Sequence, residues 1–313
     1  MKAACPVCGG IRREVLESID VSIQHAALMP EDKGAAECLT RAMSGVAHQY
    51  SMLKCLSCEL EFAAPFRAPT PEWYAVLYSN CALFPVARWE FSHVAAKLKP
   101  RDVVVDFGCG SGAFLRSITG KVSKGYGYDF ADDAICSATA SGIEAYRVEP
   151  LADLAVIANK GATQIVAFHV LEHLESPSSL FAFAGNVSLD EATLWIAVPS
   201  NKRPSRRYVE IDELDQPPHH LTRWSPKALQ ILGANHGWTM ISLSYEPATL
   251  RARVWEVSRR LRFYRTFAKA LPRLERLLRA CMWIPVCVLK HAELRGLSGF
   301  SMLAKYVKKS VTQ

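Results

Sequence analysis

No stretch of the 313-residue chain is long and apolar enough for a membrane span. A span takes about 18–20 such residues, and the best candidate, residues 280–289, is short and holds Pro285. The start, MKAACPVCGG, lacks the apolar core of an export signal. The ten cysteines are therefore expected in a reducing compartment, where thiols bind metal or fill cores more often than they form disulfides. There is no internal repeat and no low-complexity segment. Basicity is not spread over the chain either: the net charge is +7, but 15 Lys and Arg stand against 3 acidic residues from Arg251 onward, so residues 1–250 are net acidic. That weighs against a globally basic nucleic-acid binder. In residues 1–66 the basic side chains Lys2, Arg12, Arg13, Lys33, Arg41 and Lys54 are scattered, with no aromatic-basic face, so no specific nucleic-acid partner is expected there. What is present, 50% hydrophobic and 21% charged residues, describes a globular chain with room for two domains.

Two CxxC knuckles lie 46 residues apart, Cys5-Pro-Val-Cys8 and Cys55-Leu-Ser-Cys58. A CxxC turn presents both sulphurs to one ion, and two such turns close a tetrahedron, so Cys5, Cys8, Cys55 and Cys58 predict a zinc site. Four thiolates leave no open position, which makes the ion structural. Cys38, His25 and His48, between the knuckles, are read as bystanders. Residues 1–66 form a small zinc-ribbon-like domain on this reading. A Pro-rich stretch from Ala64 leads into linker helices over 67–98, the second ending at Lys99-Pro100. From residue 99 the chain alternates strands and helices. Strands are predicted at 103–107, 122–128, 143–148, 163–168, 193–198, 238–245 and 300–307, with a helical insertion over 248–290 before the last. The fold class is α/β with a largely parallel, Rossmann-like seven-stranded sheet.

The first of these strands runs into Asp106-Phe-Gly108-Cys109-Gly110-Ser-Gly112 and then a helix. Glycines there let the backbone approach a ligand, and free N–H groups at the helix start face it. An acidic residue, Asp129, ends the next strand 23 residues later, where a carboxylate can accept from ribose hydroxyls. The spacing is GxGxG, not the GxGxxG of dinucleotide folds. Asp106 would repel a pyrophosphate but suits a methionine amino group. This stretch resembles motif I of class I S-adenosylmethionine (SAM)-dependent methyltransferases. The segments Phe168-His169-Val-Leu-Glu172-His173 and Ile196-Ala-Val-Pro199-Ser-Asn201 resemble the ends of that family's fourth and fifth strands. The resemblance covers about residues 85–245 plus the terminal strand. It implies that Asp106, Gly108, Cys109 and Gly110 line the methionine part of SAM. Asp129, with Phe130 beside it, would hold the ribose, and His169 would lie over the cofactor. The family's acidic adenine contact falls near Glu149. Cys109 itself is read as packing. Some ubiquinone-pathway O-methyltransferases with a similar segment use a divalent ion nearby, but one Glu172-His173 pair is too little for a metal site, so the two are read as shaping the cofactor pocket or capping the next helix.

SAM carries an activated methyl, so the protein must align an acceptor and remove its proton where needed. Asp215-Gln-Pro-Pro-His219-His220-Leu-Thr-Arg-Trp224, just past the fifth strand, offers two imidazoles that titrate near neutrality. Two readings stand for His219 and His220: a general base, with His220 foremost, or caps for the helix starting near Ser225-Pro226. A four-cysteine domain ahead of a SAM core is similar to zinc-containing deoxysugar C-methyltransferases, in which a histidine loop after strand five supplies the base. Tyr74 and Tyr78 resemble that group's interdomain tyrosines. The departures are Pro218, where that group has a further histidine, and the lack of its C-terminal domain. The loop also looks like those of methyltransferases from polysaccharide-biosynthesis clusters. The expected activity is methyl transfer to a sugar, nucleotide-sugar or cell-surface glycan, on carbon or oxygen. The other classes are a protein or RNA methyltransferase and a SAM-binding scaffold without catalysis. Residues 251–290 alternate apolar and basic positions at helical spacing. They form either a cap with a solvated cationic face or a peripheral contact with an anionic membrane surface. The expected location is the cytoplasm, at the inner face of the membrane in the second case.

Overall fold

The computed structural model describes residues 4–29, 31–80, 88–148, 161–203, 213–248 and 298–308. Near the N-terminus, β1 (Arg13–Asp20) and β2 (Gln49–Cys55) pair antiparallel with Arg13 opposite Cys55, and β3 (Glu61–Ala64) adds to β2. Between β1 and β2 the chain forms α1 (Val21–Leu28) and α2 (Lys33–Ala42). Both start where an aspartate can cap: Asp20 accepts from the N–H groups of Ser22 and Ile23, and Asp32 from that of Ala35. A third helix, α3 (Pro71–Asn80), buries Trp73 and Leu77 against Leu39, Met43, Tyr50 and Met52. Trp73 Nε1–H donates to His25 Nε2 over 2.9 Å, and His25 Nδ1 meets Thr40 Oγ1 at 2.9 Å. Both nitrogens of His25 are therefore spent in the core, and burial pushes its imidazole down to about 4. The fourth strand of this sheet comes from far along the chain. β9 (Thr222–Arg223) pairs antiparallel with β3, setting Arg223 opposite Glu61 and Thr222 opposite Phe62.

The seven predicted strands are all present: β4 (Val103–Phe107), β5 (Lys124–Asp129), β6 (Glu144–Arg147), β7 (Ala162–Phe168), β8 (Ser188–Pro199), β10 (Trp238–Tyr245) and β11 (Ser301–Lys308). They form one sheet in the order β10-β11-β8-β7-β4-β5-β6. The pairs β4–β5, β5–β6, β4–β7 and β7–β8 are parallel. Helices α4 (Trp89–Ala95), α5 (Ala113–Ile118), α6 (Asp132–Ala140), α7 (Pro177–Val187) and α8 (Pro226–Asn235) accompany them. The last begins as the sequence predicts: Ser225 Oγ accepts from Ala228 N–H, and Pro226 occupies the first turn, where no N–H is needed. Val104, Phe114, Ile118, Val166, Phe168 and Trp195 build the core on one side of the sheet. β8 starts earlier than predicted because residues 188–191 are not buried, so hydrophobicity does not mark them.

The chain divides into two compact units, residues 1–198 with 213–244 and 303–313, and residues 199–212 with 245–302. The N-terminal sheet and the β4 region both belong to the first. In the second, Ser200 Oγ and Ser298 Oγ share a 2.6 Å hydrogen bond, and the Lys202 ammonium lies 4.1 Å from the centre of the Tyr245 ring. Apart from Ala248, the predicted insertion 248–290 lies outside the described residues, as does Glu149. Among the described residues no helix is long and apolar enough to cross a membrane.

Candidate active site

β4 sits between β5 and β7, the point where an open parallel sheet leaves a crevice beyond its strand ends. Gly108 leaves β4 with φ +77°, and a Cβ there would come within 2.2 Å of Val170 Cγ2, so only glycine fits. Its N–H and that of Cys109 both donate to Tyr128 O, at 2.7 and 3.1 Å, which locks the turn onto β5. Gly110 N–H donates to Asp129 Oδ2 at 2.8 Å, and Ala131 N–H to Oδ1 at 3.0 Å. Asp106 is buried, and among the described residues its Oδ1 has no hydrogen-bond partner. Burial and the charge of Asp129 push its carboxyl up to about 8. The Cys109 thiol sits where a Cβ on Gly127 would come within 2.7 Å. Burial, then the charges of Asp106 and Asp129, push that thiol far up, which fits a packing group. Phe130 is half exposed, its ring edge-on to Phe107 at 5.6 Å.

At the end of β7, His169 adopts φ +57°, an unusual value for a side-chain-bearing residue. Its N–H donates to Ala197 O, Nε2 lies 2.9 Å from Glu90 Oε1, and Nδ1 lies 3.3 Å from Glu172 Oε1. Burial alone would lower this imidazole; the Glu172 and Glu90 carboxylates outweigh it and raise it. Burial likewise opposes charge on Glu172, but His169 outweighs it and holds the carboxyl down at about 2. Glu90 is missed at the sequence level. Its only signal is an acidic side chain in the apolar run around Trp89, Phe91 and Val94 of α4.

The loop after β8 is held by the N-terminal sheet. Ala63 N–H donates to Leu221 O and Gln24 Nε2–H to Glu213 O. Arg223 joins both sides: one guanidinium nitrogen lies 2.7 Å from Glu17 Oε1, and Nε–H donates to Asp215 O at 2.8 Å. This frame places His219 and His220 beside His173, with ring centres 4.6 and 4.8 Å from it. Each ring is pinned through Nδ1: His173 to His219 O at 2.7 Å, His219 to Leu214 O at 2.8 Å, and His220 to Asp215 Oδ1 at 3.0 Å. Burial and the charge of His220 lower His173 to about 4, and burial with its two neighbours lowers His219 well below its usual range. Tyr74 and Tyr78 flank the group, with ring centres 6.4 and 6.5 Å from that of His219. The structure thus unites His173 with the predicted pair and assigns partners to both. His220 holds Asp215, and neither loop histidine caps α8, whose cap is Ser225.

Cys5, Cys8, Cys55 and Cys58 converge, their sulphurs within 4.8 Å of one another. The Cys5–Cys58 and Cys8–Cys55 sulphurs are each 3.5 Å apart, and none is in a disulfide. Tetrahedral zinc–sulphur bonds of about 2.3 Å set sulphurs about 3.8 Å apart, so the donor set fits that ion. Both knuckles repeat one backbone pattern: Gly9 N–H donates to Cys5 O and Glu59 N–H to Cys55 O, with Gly9 and Glu59 at φ +68° and +64°. Two side chains of α8 and its cap brace the cluster. Ser225 Oγ–H donates to Cys58 O, and Asn235 Nδ2–H to Val7 O.

With this geometry in place, the comparisons with known proteins fit. Residues 84–243 match the family described as Methyltransferase domain, about half of the chain, and the chain belongs to that family as a SAM-dependent methyltransferase. Its fold is similar to a SAM-dependent methyltransferase from Archaeoglobus fulgidus (17% identity, 70% of this chain and 94% of that one, TM-score 0.47). It is also similar to the Haloferax volcanii complex of the Trm112 methyltransferase activator with a methyltransferase (15%, 71% and 90%, 0.46). A third is magnesium protoporphyrin IX methyltransferase from Synechocystis (13%, 70% and 82%, 0.44). No curated protein matches.

Proposed function

We propose that the chain moves a methyl group from SAM to a hydroxyl or acidic carbon of a small polar acceptor: a sugar, nucleotide-sugar or cell-surface glycan intermediate. The observation that carries this is the Asp215–His220 pair. With Nδ1–H held on Asp215 Oδ1 at 3.0 Å, His220 keeps one tautomer and offers Nε2 as proton acceptor. Support at the cofactor end comes from the buried Asp106 carboxylate, whose unpartnered Oδ1 beside Asp129 suits a cationic ligand such as the ammonium of SAM's methionine part. Asp129 keeps acceptor capacity for ribose hydroxyls. His169, tied to Glu90 and Glu172, stiffens the crevice wall. Zinc held by Cys5, Cys8, Cys55 and Cys58 would be structural, fixing the sheet that carries the histidine loop. The proposed setting is the cytoplasm, where thiolates stay reduced.

Methyl-transfer assays over nucleotide-sugar pools test the acceptor class. His220→Ala should lower turnover on the order of 10² to 10⁴-fold with SAM affinity nearly unchanged. Loss in His219→Ala with a silent His220→Ala would move the base by one residue. Full activity in both would show that the acceptor needs no histidine base.

A further inference from the structure

We propose that His173, His219 and His220 together bind a divalent transition-metal ion, zinc by preference, through Nε2. Three observations support this. One ring nitrogen of each lies within 4.8 Å of those of the other two, although the residues come from turns more than 40 positions apart. Nitrogens of a tetrahedral site with about 2.05 Å bonds stand about 3.3 Å apart, so the rings would draw together by up to about 1.5 Å on binding. Each Nδ1 already has an oxygen partner, His219 O, Leu214 O or Asp215 Oδ1. Among the described residues no hydrogen bond engages any of the three Nε2 atoms. Metal-binding histidines show this arrangement, the far nitrogen donating to a carbonyl or carboxylate that orients the ring. The third observation is independent of the rings. Glu172, adjacent to His173, is fully buried, and among the described residues neither carboxylate oxygen has a hydrogen-bond partner beyond the ion-pair contact with His169. A buried anion at the edge of three lone pairs favours a cation there.

Three imidazoles leave a fourth position open. An acceptor hydroxyl bound there is acidified by the ion. It gives its proton to water, its oxygen bonds the methyl carbon, and the carbon–sulphur bond breaks with the electron pair left on sulphur. This rests on the reading above of where the acceptor sits and deepens it: with the ion bound, the His220 Nε2 lone pair is spent on the metal and water takes the proton, whereas without the ion His220 takes it.

The test uses the full chain with its cysteine site loaded. Titration with Co²⁺ should add one further ion per chain, giving visible d–d bands without new thiolate charge-transfer absorption. His173→Ala and His219→Ala should lose that ion and keep the cysteine-bound one. Asp215→Asn, which changes the far partner of the His220 ring and also weakens the 3.5 Å ion pair with Arg223, should weaken Co²⁺ binding on the order of 10 to 100-fold. Thermal melting checks that each variant folds. A wild-type chain that takes up only the ion lost in Cys55→Ser with Cys58→Ser would overturn the proposal. Methyl transfer by such a chain would leave the function standing without the histidine ion. A second ion with no methyl transfer to any acceptor would keep the ion site and remove the function.

Discussion

Gly110 N–H donates to Asp129 Oδ2 over 2.8 Å, so the carboxylate proposed to hold the ribose also clamps the glycine turn. Asp129→Ala should weaken SAM binding by about 1.5 to 3 kcal/mol, the scale for hydrogen bonds to a charged acceptor. Asp129→Asn should lose less, since one acceptor oxygen survives. Isothermal titration reads both, and unchanged affinity in the alanine variant would remove Asp129 from the cofactor site.

SAM binding should depend on pH through Asp106. Its carboxyl is raised to about 8 by burial and by Asp129, against about 3.9 in an unfolded chain. Between these values the folded protein holds the extra proton. The group therefore favours the fold most at low pH, and that contribution is lost as pH rises through about 8. A cationic ligand prefers the carboxylate, so binding below pH 8 should expel a proton, and affinity should rise from pH 6 to 8 and then level. Calorimetry in two buffers of different ionisation enthalpy measures the release. A flat profile in the wild type, or an unaltered one in Asp106→Asn, would count against this assignment.

The knuckle cluster should report on the histidine loop. Metal analysis after dialysis is expected to find one zinc held by the four cysteines and lost in Cys55→Ser with Cys58→Ser. Because Ser225 and Asn235 bond to Cys58 O and Val7 O, stripping that zinc should speed amide exchange at residues 215–235 as well as at the knuckles. Exchange confined to the knuckles would show that the two are not coupled.

Gly108→Ala tests the turn itself. Holding a side chain at φ +77° costs roughly 1 to 2 kcal/mol, and the 2.2 Å approach to Val170 adds an overpacking cost of about 1 to 3 kcal/mol. Adding Val170→Ala should recover the second part and not the first, read by chemical denaturation as a double-mutant cycle. Equal stability of the single variant and the wild type would refute it.

Much of this was legible along the chain because it rests on local pattern. The runs at 103–107 and 163–168 are mostly apolar, broken by Asp106 and by Thr163-Gln164, and are bounded by turns, so they mark themselves as buried parallel strands. The glycines around Cys109 and the two CxxC turns also carry their chemistry within a few residues. What stayed hidden depends on distance. β9 is two residues long, too short for any alternation, and exists because β3 offers it an edge. His173 belongs with His219 and His220 only once β8 has carried the chain across the sheet. Glu90 looks like one more surface charge until α4 turns it onto His169. Asp215 stood in the loop motif without a role, since its use depends on the 3.0 Å approach of His220.

The pairing of β3 with β9 also bears on how this architecture can be divided. Without residues 222–223, β3 would present bare amide and carbonyl groups along its outer side, the kind of edge that recruits other chains. The knuckle sheet is therefore not a free-standing module that can be grafted onto another catalytic core. Any exchange that preserves both halves must carry the two-residue strand and the Arg223 contacts to Glu17 and Asp215 along with it.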